Sequence, residues 1–328
     1  AGLVDVFGGA EDLKRKVIRC VGNPIDRFTE DALRMLRALR FAAQLGFSVE
    51  EETKKAAAAL AENLKKVSAE RIQIELVKLL VSEHPEEIRQ VYELGLSRIF
   101  LPEFDRMMVT EQNTKHHCYS VGEHTIRTLQ EVPADRVLRL TMLLHDVAKP
   151  VCRTTDEKGQ DHFKGHPAKG AEMAREILRR LKFDNATIDR VCLLVRYHDD
   201  RPKVTPENVR RAASRIGADN MEALFAVKRG DMLGQSLYER EEKLAYIDEY
   251  ETLWNQIQAE NQCVRKKELA VNGKDLITLG MKQGKEIGEM INRLFDRVLE
   301  EPELNTKEKL LAIAKAILQD NSADSGNK

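Results

Sequence analysis

A mainly α-helical protein is predicted by three features of this 328-residue sequence. Aromatic residues make up only 5 % of the chain, too few for most all-β folds. Apolar residues recur at helical spacing, as in Leu33, Leu36 and Ala43 and again in Leu60 and Leu64, and alternating strand patterns are nearly absent. From Arg27 onward the chain reads as amphipathic helices separated by short breaks. Thr29 is a candidate N-cap, with Glu30 and Asp31 in the first turn at the positive end of the helix dipole, and Gly46 ends that helix. A helical pair is predicted over 49–66 and 69–81, and a further helix from Glu86 to the break at Leu101-Pro102. The polar, histidine-rich stretch 112–124 marks a boundary near Thr110. Helices resume at 122–131, 135–147, 168–181, 185–198, 206–216 and 220–239, followed by a charged stretch to Asn261. A short region punctuated by Gly273, Gly280, Gly284 and Gly288 starts near Lys267. Domains are therefore expected at 1–110, 111–262 and 263–320, with 321–328 a disordered tail.

Charge and cysteine usage bound the function classes. Lys and Arg total 53 against 54 Asp and Glu, a net charge of −1, so no global field draws in nucleic acid and any RNA site must be a local patch. The five cysteines (Cys20, Cys118, Cys152, Cys192, Cys263) are odd in number and form no Cys-x-x-Cys pair, as expected in a reducing cytoplasm. No apolar run approaches the ~18 residues of a membrane span, and no signal segment opens the sequence, so neither secretion nor a membrane partner is expected.

Four of the eight histidines fall between His116 and His145. The last stands in Leu143-Leu144-His145-Asp146-Val147-Ala148-Lys149-Pro150, at the end of an apolar helix. There an imidazole and a carboxylate emerge together at the edge of a packed core and can meet one divalent cation. The remaining candidates follow in order: His124 upstream, His166 in Gly165-His166-Pro167, His198 in Tyr197-His198-Asp199, and Asp231 in Gly230-Asp231-Met232. This ordered set resembles the HD metal-dependent phosphohydrolase superfamily, whose pattern is His, His-Asp and a distant Asp on separate helices. The resemblance covers roughly 112–238 and implies an all-α HD domain. It implies His124, His145, Asp146 and Asp231 as ligands of one metal, with His166 and His198 as the additional ligands of two-metal members. Mixed imidazole and carboxylate ligation suits Mn²⁺, Fe²⁺, Ni²⁺ or Mg²⁺ better than a closed structural zinc site. A metal there would acidify water and polarise a phosphoryl oxygen, with His145 and Asp146 as its core. Two readings stand for Lys149: neutralising a substrate phosphate, or facing the negative end of its own helix. His117 is either a phosphate contact or half of a solvated pair with His116.

The first fifty residues carry a second pattern. Gly2-Leu3-Val4-Asp5-Val6-Phe7-Gly8-Gly9, Ile18-Arg19-Cys20-Val21-Gly22-Asn23-Pro24 and Arg27-Phe28-Thr29-Glu30-Asp31-Ala32-Leu33-Arg34-Met35-Leu36-Arg37 closely resemble class II tRNA nucleotidyltransferases. That family comprises CCA-adding enzymes and bacterial poly(A) polymerases. Its Glu-Asp-x-x-Arg motif selects the incoming CTP or ATP, and Glu30, Asp31 and Arg34 occupy those positions. Asp31 and Arg34 are three apart, so on one helix they would share a face and offer a carboxylate acceptor beside a guanidinium fork. The plain alternative is a helix cap and an ordinary ion pair. Ser68-Ala69-Glu70-Arg71-Ile72-Gln73-Ile74-Glu75 resembles the family's neck motif, implying that Glu70, Arg71 and Glu75 buttress the nucleotide-selecting helix. The glycine-rich region from Leu269 resembles the family's tail, which implies contact with the tRNA backbone. A helical hairpin without a ligand is the equal alternative there.

One departure from the family bears on activity. The resemblance implies an α/β palm with paired carboxylates that hold Mg²⁺, and no stretch of this sequence has those features. The expectation is a multi-helical neck and body, an HD domain and a helical tail, binding CTP or ATP and the tRNA 3′ end. Nucleotidyl transfer is then not expected from this chain alone, and a separate palm-bearing chain is one way to supply it. A stand-alone phosphohydrolase and a non-catalytic RNA-binding module are the competing readings.

Overall fold

The computed structural model describes residues 4–114 and 119–325, with side chains through Gln319. Helices make up nearly all of its regular structure. Strands among the described residues are four two-residue pieces: Val17–Ile18 pairs in parallel with Ser48–Val49, and Thr154–Thr155 antiparallel with Asp161–His162. Residues 1–200 and 223–244 belong to one compact unit, and 201–222 and 245–328 to another. Thr110 lies within the first.

The first unit begins with two helices where the periodicity suggests one. Asn23 caps the Pro24–Glu30 helix by accepting from the Ile25 amide, and Pro24 occupies its first turn. Asn-Pro is a stronger start signal than the interior Thr29, which does not cap, because proline presets φ where no amide donor is needed. The chain then extends at Asp31 (φ −148°, ψ 100°), and a new helix runs over Leu33–Leu45. That helix buries Leu33, Met35, Leu36 and Leu39 against the Ala69–Leu80 helix, which contributes Ile72, Leu76, Leu79 and Leu80. Each such side chain stabilises the fold by roughly 2 kcal/mol. Gly46 ends the Leu33–Leu45 helix in the left-handed region (φ 64°), its amide bonded to the Ala42 carbonyl, as its lack of a Cβ allows.

The helices that carry the polar cluster follow. Ser120 caps Val121–Gln130, Asp135 caps Arg136–Leu144 and Asp184 caps Asn185–Tyr197, each by side-chain acceptance of backbone amides. Arg136–Leu144 packs on Val121–Gln130, on Asn185–Tyr197 and on Ala69–Leu80. It is therefore buried on nearly every side, with Leu138, Leu140, Met142, Leu143 and Leu144 all in the core. It stops at Leu144, short of the expected Val147. Residues 145–148 form a turn, and a four-residue helix Lys149–Cys152 follows.

The second unit has its own core, built around Leu276, Leu294, Phe295, Val298, Leu310 and Ala314. Arg210, buried on Pro206–Ile216, donates to the carbonyls of Leu299 (2.7 Å) and Glu300 (2.9 Å) and so satisfies the end of the Lys285–Glu300 helix. The charged stretch before Asn261 is helical over Arg240–Ala259, with Ile247, Tyr250, Trp254 and Ile257 buried at spacings of three and four. The last helix, Lys307–Ser325, continues into the segment expected to be disordered, and no glycine or proline interrupts it. No helix among the described residues is long and apolar enough to cross a membrane.

Candidate functional site

Six side chains from five segments of the first unit converge on one buried point. His124 comes from Val121–Gln130, His145 and Asp146 from the turn after Leu144, His166 from the first position of His166–Arg180, His198 from the C-cap of Asn185–Tyr197, and Asp231 from Met221–Gly234. All are buried, with His124 and His145 fully inaccessible. These are the six ligand positions expected from the sequence, now brought together. His116 and His117 lie outside the described residues.

The imidazoles share one orientation device. Nδ1 of His145 lies 2.7 Å from the Met142 carbonyl, Nδ1 of His166 lies 2.8 Å from that of Phe163, and Nδ1 of His198 lies 2.7 Å from that of Val195. In each case the acceptor is three residues upstream. His124 makes the equivalent contact with the Gly234 carbonyl at 3.2 Å. A carbonyl oxygen can only accept, so Nδ1 carries the proton and Nε2 is left to face the centre. The Nε2 atoms meet in pairs, His124 with His145 at 3.2 Å and His166 with His198 at 3.3 Å. Two neutral rings in this tautomer oppose lone pairs, which a cation between them would relieve. Separations near 3 Å are also what metal–ligand bonds of about 2.0–2.2 Å impose on adjacent ligands.

Asp146 joins the two pairs. Its Oδ2 lies 3.2 Å from His145 Nε2 and 3.6 Å from His124 Nε2, while Oδ1 lies 3.3 Å from His166 Nε2 and 3.7 Å from His198 Nε2. Asp231 Oδ1 adds to the first pair, at 2.9 Å from His124 and 3.7 Å from His145. Two groups capable of holding an ion result, sharing Asp146: His124, His145 and Asp146, and Asp146, His166 and His198. Neither Asp146 oxygen makes a hydrogen bond of acceptable angle among the described residues, although the Lys149 ammonium stands 2.7 Å from Oδ2 as an ion pair. A buried carboxylate left in this state fits a pair of divalent cations.

The electrostatics are those of a cluster that binds either protons or metal. Burial lowers the pKa of His145, yet Asp146 and Asp231 outweigh it and hold the ring above its ordinary range. Burial likewise raises Asp146 and Asp231, and their neighbours pull both well below the usual carboxylate range, chiefly the charges of His145 and Lys149 for Asp146 and hydrogen-bond contacts with His124 and His145 for Asp231. His198 is lowered by burial and by the nearby His145 and His166, against the pull of Asp146. A divalent cation competes with the proton on His145.

Lys149 is not at the surface, and it stands at the start of a helix rather than at the close of one. It is buried (6 % exposed) and opens the Lys149–Cys152 helix; its ammonium also donates to Gln112 Oε1 at 2.9 Å. It pairs directly with Asp146, a partner that neither expectation named; contact with a substrate phosphate remains a proposal. Gln112 and Gln235, whose Nε2 donates to Asp231 Oδ1 at 3.2 Å, were not anticipated; the latter lies one turn after Asp231, the one signal that could have found it.

The second candidate site is at the helix break. Glu30 Oε2 accepts from Arg27 Nη1 (2.6 Å) and Arg34 Nη1 (2.7 Å), and the hydrogen bond from Arg34 holds the Glu30 carboxyl below its ordinary range. Asp31 and Arg34 do not share one helical face, as the spacing suggested. Asp31 sits outside both helices because its Oδ1 caps the Leu33 amide at 3.2 Å and its Oδ2 pairs with Arg71 Nη2 at 2.8 Å. Burial raises the Asp31 carboxyl, and Arg71 with the Leu33 amide overcomes this to leave it lowered. Glu75, buried, binds Arg37 Nε (3.2 Å) and Arg40 Nε (2.6 Å). Glu75 therefore ties to the Leu33–Leu45 helix and Arg71 to the break before it, while Glu70 is exposed. Arg34 and Arg71 remain 30 % and 46 % exposed, within reach of a ligand.

Two families match the sequence: one described as a probable RNA- and SrmB-binding site of polymerase A, over residues 46–108, and tRNA nucleotidyltransferase domain 2, over 168–314. A CC-adding tRNA nucleotidyltransferase of Thermus thermophilus is 30 % identical over 324 residues, 93 % of this chain and 70 % of that protein. An A-adding tRNA nucleotidyltransferase of Deinococcus radiodurans is 38 % identical over 210 residues, 60 % of this chain and 47 % of that protein. The chain thus spans about half of the Deinococcus relative. Among solved structures, that of the Bacillus stearothermophilus CCA-adding enzyme in complex with CTP superposes with a TM-score of 0.66 at 25 % identity, covering 99 % of this chain and 70 % of that one.

Proposed function

Since the chain belongs to the CCA-adding tRNA nucleotidyltransferase family, we propose that it serves tRNA 3′-end maturation, selecting CTP or ATP at the helix break and hydrolysing phosphoesters at the buried His/Asp cluster. The observation that carries the second half is the geometry of the cluster: four Nε2 atoms and two carboxylates converge, with Asp146 shared between two groups of ligands.

At the helix break, Glu30 orients Arg34, and Arg71 orients Asp31. Cytosine and adenine each present an exocyclic amino donor beside a ring-nitrogen acceptor. A carboxylate and a guanidinium can read that edge together, Asp31 accepting and Arg34 donating. The relatives are named for A and for CC addition, so family membership alone does not identify the base. The partners proposed are CTP or ATP and the tRNA 3′ end, bound by local surfaces of a nearly neutral chain. Incorporation of nucleotides by these 328 residues alone is not expected.

At the cluster, His124, His145, Asp146 and Asp231 would hold one ion, and Asp146, His166 and His198 a second. The imidazole-rich set favours Mn²⁺, Fe²⁺ or Ni²⁺ over Mg²⁺. Such ions, when bound, acidify water and polarise a phosphoryl oxygen. The chain's own part is orientation: four backbone carbonyls fix the tautomers, and Lys149 and Gln112 hold Asp146 in place. Cyclic 2′,3′-phosphates and 2′-nucleotides at damaged tRNA ends are the proposed substrates. Metal-dependent hydrolysis of a 2′,3′-cyclic nucleotide tests this. It should fall at least a thousandfold in His145→Ala and Asp146→Ala, and activity that survives both changes overturns the assignment.

A further inference from the structure

Lys228 is a buried cation that the proposed chemistry does not use. It is 4 % exposed, and its ammonium donates to the carbonyl of His198 at 2.9 Å and to that of Asp200. The His198 carbonyl lies at the end of the Asn185–Tyr197 helix, where acceptors have no partner within the helix and where the helix dipole favours positive charge; Asp200 follows just beyond it.

The location matters because His198 is the C-cap of that helix. Its ring direction is set by the Nδ1 contact with the Val195 carbonyl, and so by the backbone of that last turn. Lys228 ties down the same turn from a neighbouring helix. It stands three residues before Asp231 on Met221–Gly234, a spacing that puts both on one helical face. One helix therefore supplies Asp231 directly to one ligand group and grips the backbone beneath His198, which belongs to the other.

We propose that Lys228 is a positioning residue for the second metal site: it holds His198 in register with His166 and Asp146. This rests on the two-metal reading of the cluster. Loss of an outer partner of a metal ligand typically weakens affinity about 10–100-fold, and here that loss falls on one ion of two.

The test is a Mn²⁺ titration of the full chain, following bound and free metal by electron paramagnetic resonance and total metal by elemental analysis. Lys228→Met is expected to leave the first ion's affinity unchanged and to weaken the second about 10–100-fold. Lys228→Arg, which keeps charged donors, should recover part of the second. If Lys228→Met does not fold, as judged by circular dichroism, Lys228→Gln carries the same comparison. Unchanged affinity for both ions overturns the proposal. So does an equal loss at both, which is what a purely structural helix cap produces. His198→Ala is the reference: if it still binds two ions with unaltered affinities, the assignment of His198 to the second site has failed, and if the native chain binds one ion only, the two-metal reading itself has failed.

Discussion

Gly234 gives the sharpest mutational prediction. It ends the Met221–Gly234 helix, and its carbonyl accepts from His124 Nδ1. A Cβ at this position would lie 2.4 Å from Thr128 Cγ2, 3.3 Å from the Thr128 amide nitrogen and 3.4 Å from His124 Cε1. Thr128 is fully buried, and its hydroxyl donates to the Thr125 carbonyl at 2.8 Å, so the methyl cannot rotate aside without losing that bond. To restore an ordinary contact, the two helices must separate by about 1 Å. His124 and Asp231, 2.9 Å apart, ride on those helices, and ligand geometry tolerates only about 0.5 Å. Gly234→Ala should therefore cost about 1–3 kcal/mol of stability and weaken metal binding about 10–100-fold. Urea unfolding and Mn²⁺ titration measure the two effects. Thr128→Ser removes Cγ2 and keeps the hydroxyl, so the double variant should recover most of both losses, as a double-mutant cycle reveals. Gly288, within the Lys285–Glu300 helix, is the opposite case, because a Cβ added there would meet no atom within 4 Å. Gly288→Ala should stabilise by about 0.5–1 kcal/mol. Wild-type metal affinity in Gly234→Ala, or no rescue by Thr128→Ser, would refute the reasoning.

Further outcomes follow from individual contacts. Arg34→Ala should weaken CTP and ATP binding about 10-fold or more, the value of a hydrogen bond from a charged group, measured by calorimetry. Glu75→Gln leaves Arg37 and Arg40 with a neutral partner and should destabilise the first unit by about 3 kcal/mol, weakening both nucleotides equally. Asp161 is buried, which raises its carboxyl, but Arg153, the Asn113 amide and Thr155 pull it from 3.8 to about 2. Its stabilisation is complete above about pH 4 and is lost as pH falls through about 2. Urea midpoints of the native chain and Asp161→Asn should differ most near pH 5 and converge toward pH 2.

Much of this was legible from residue order, and what was not depended on tertiary partners. The helices followed their apolar spacing, Gly46 stopped its helix where expected, and the six His and Asp positions that the HD resemblance picked out lie together in the structure. The break at Asp31 was hidden because Glu-Asp suits a first turn just as well. What pulls Asp31 out of the helix is Arg71, forty residues away. The pairing of Lys149 with Asp146 was hidden because 135–147 reads as one continuous helix, whereas the turn at 145–148 brings the lysine onto Asp146. Gln112, Gln235 and Lys228 carry no distinctive pattern: a glutamine or lysine declares its role only when the group it contacts is known. The charged helix over Arg240–Ala259 was passed over because its polar residues outnumber the four that it buries.

The central claim is that this nucleotidyltransferase-family chain holds a pair of divalent ions on either side of Asp146. Anomalous diffraction from crystals grown with Mn²⁺ measures this directly. Two peaks are predicted, one among His124, His145 and Asp231 and one between His166 and His198, both adjacent to Asp146 and both absent in Asp146→Ala. No peak at the cluster in the native chain, or peaks that persist in Asp146→Ala, would contradict the account.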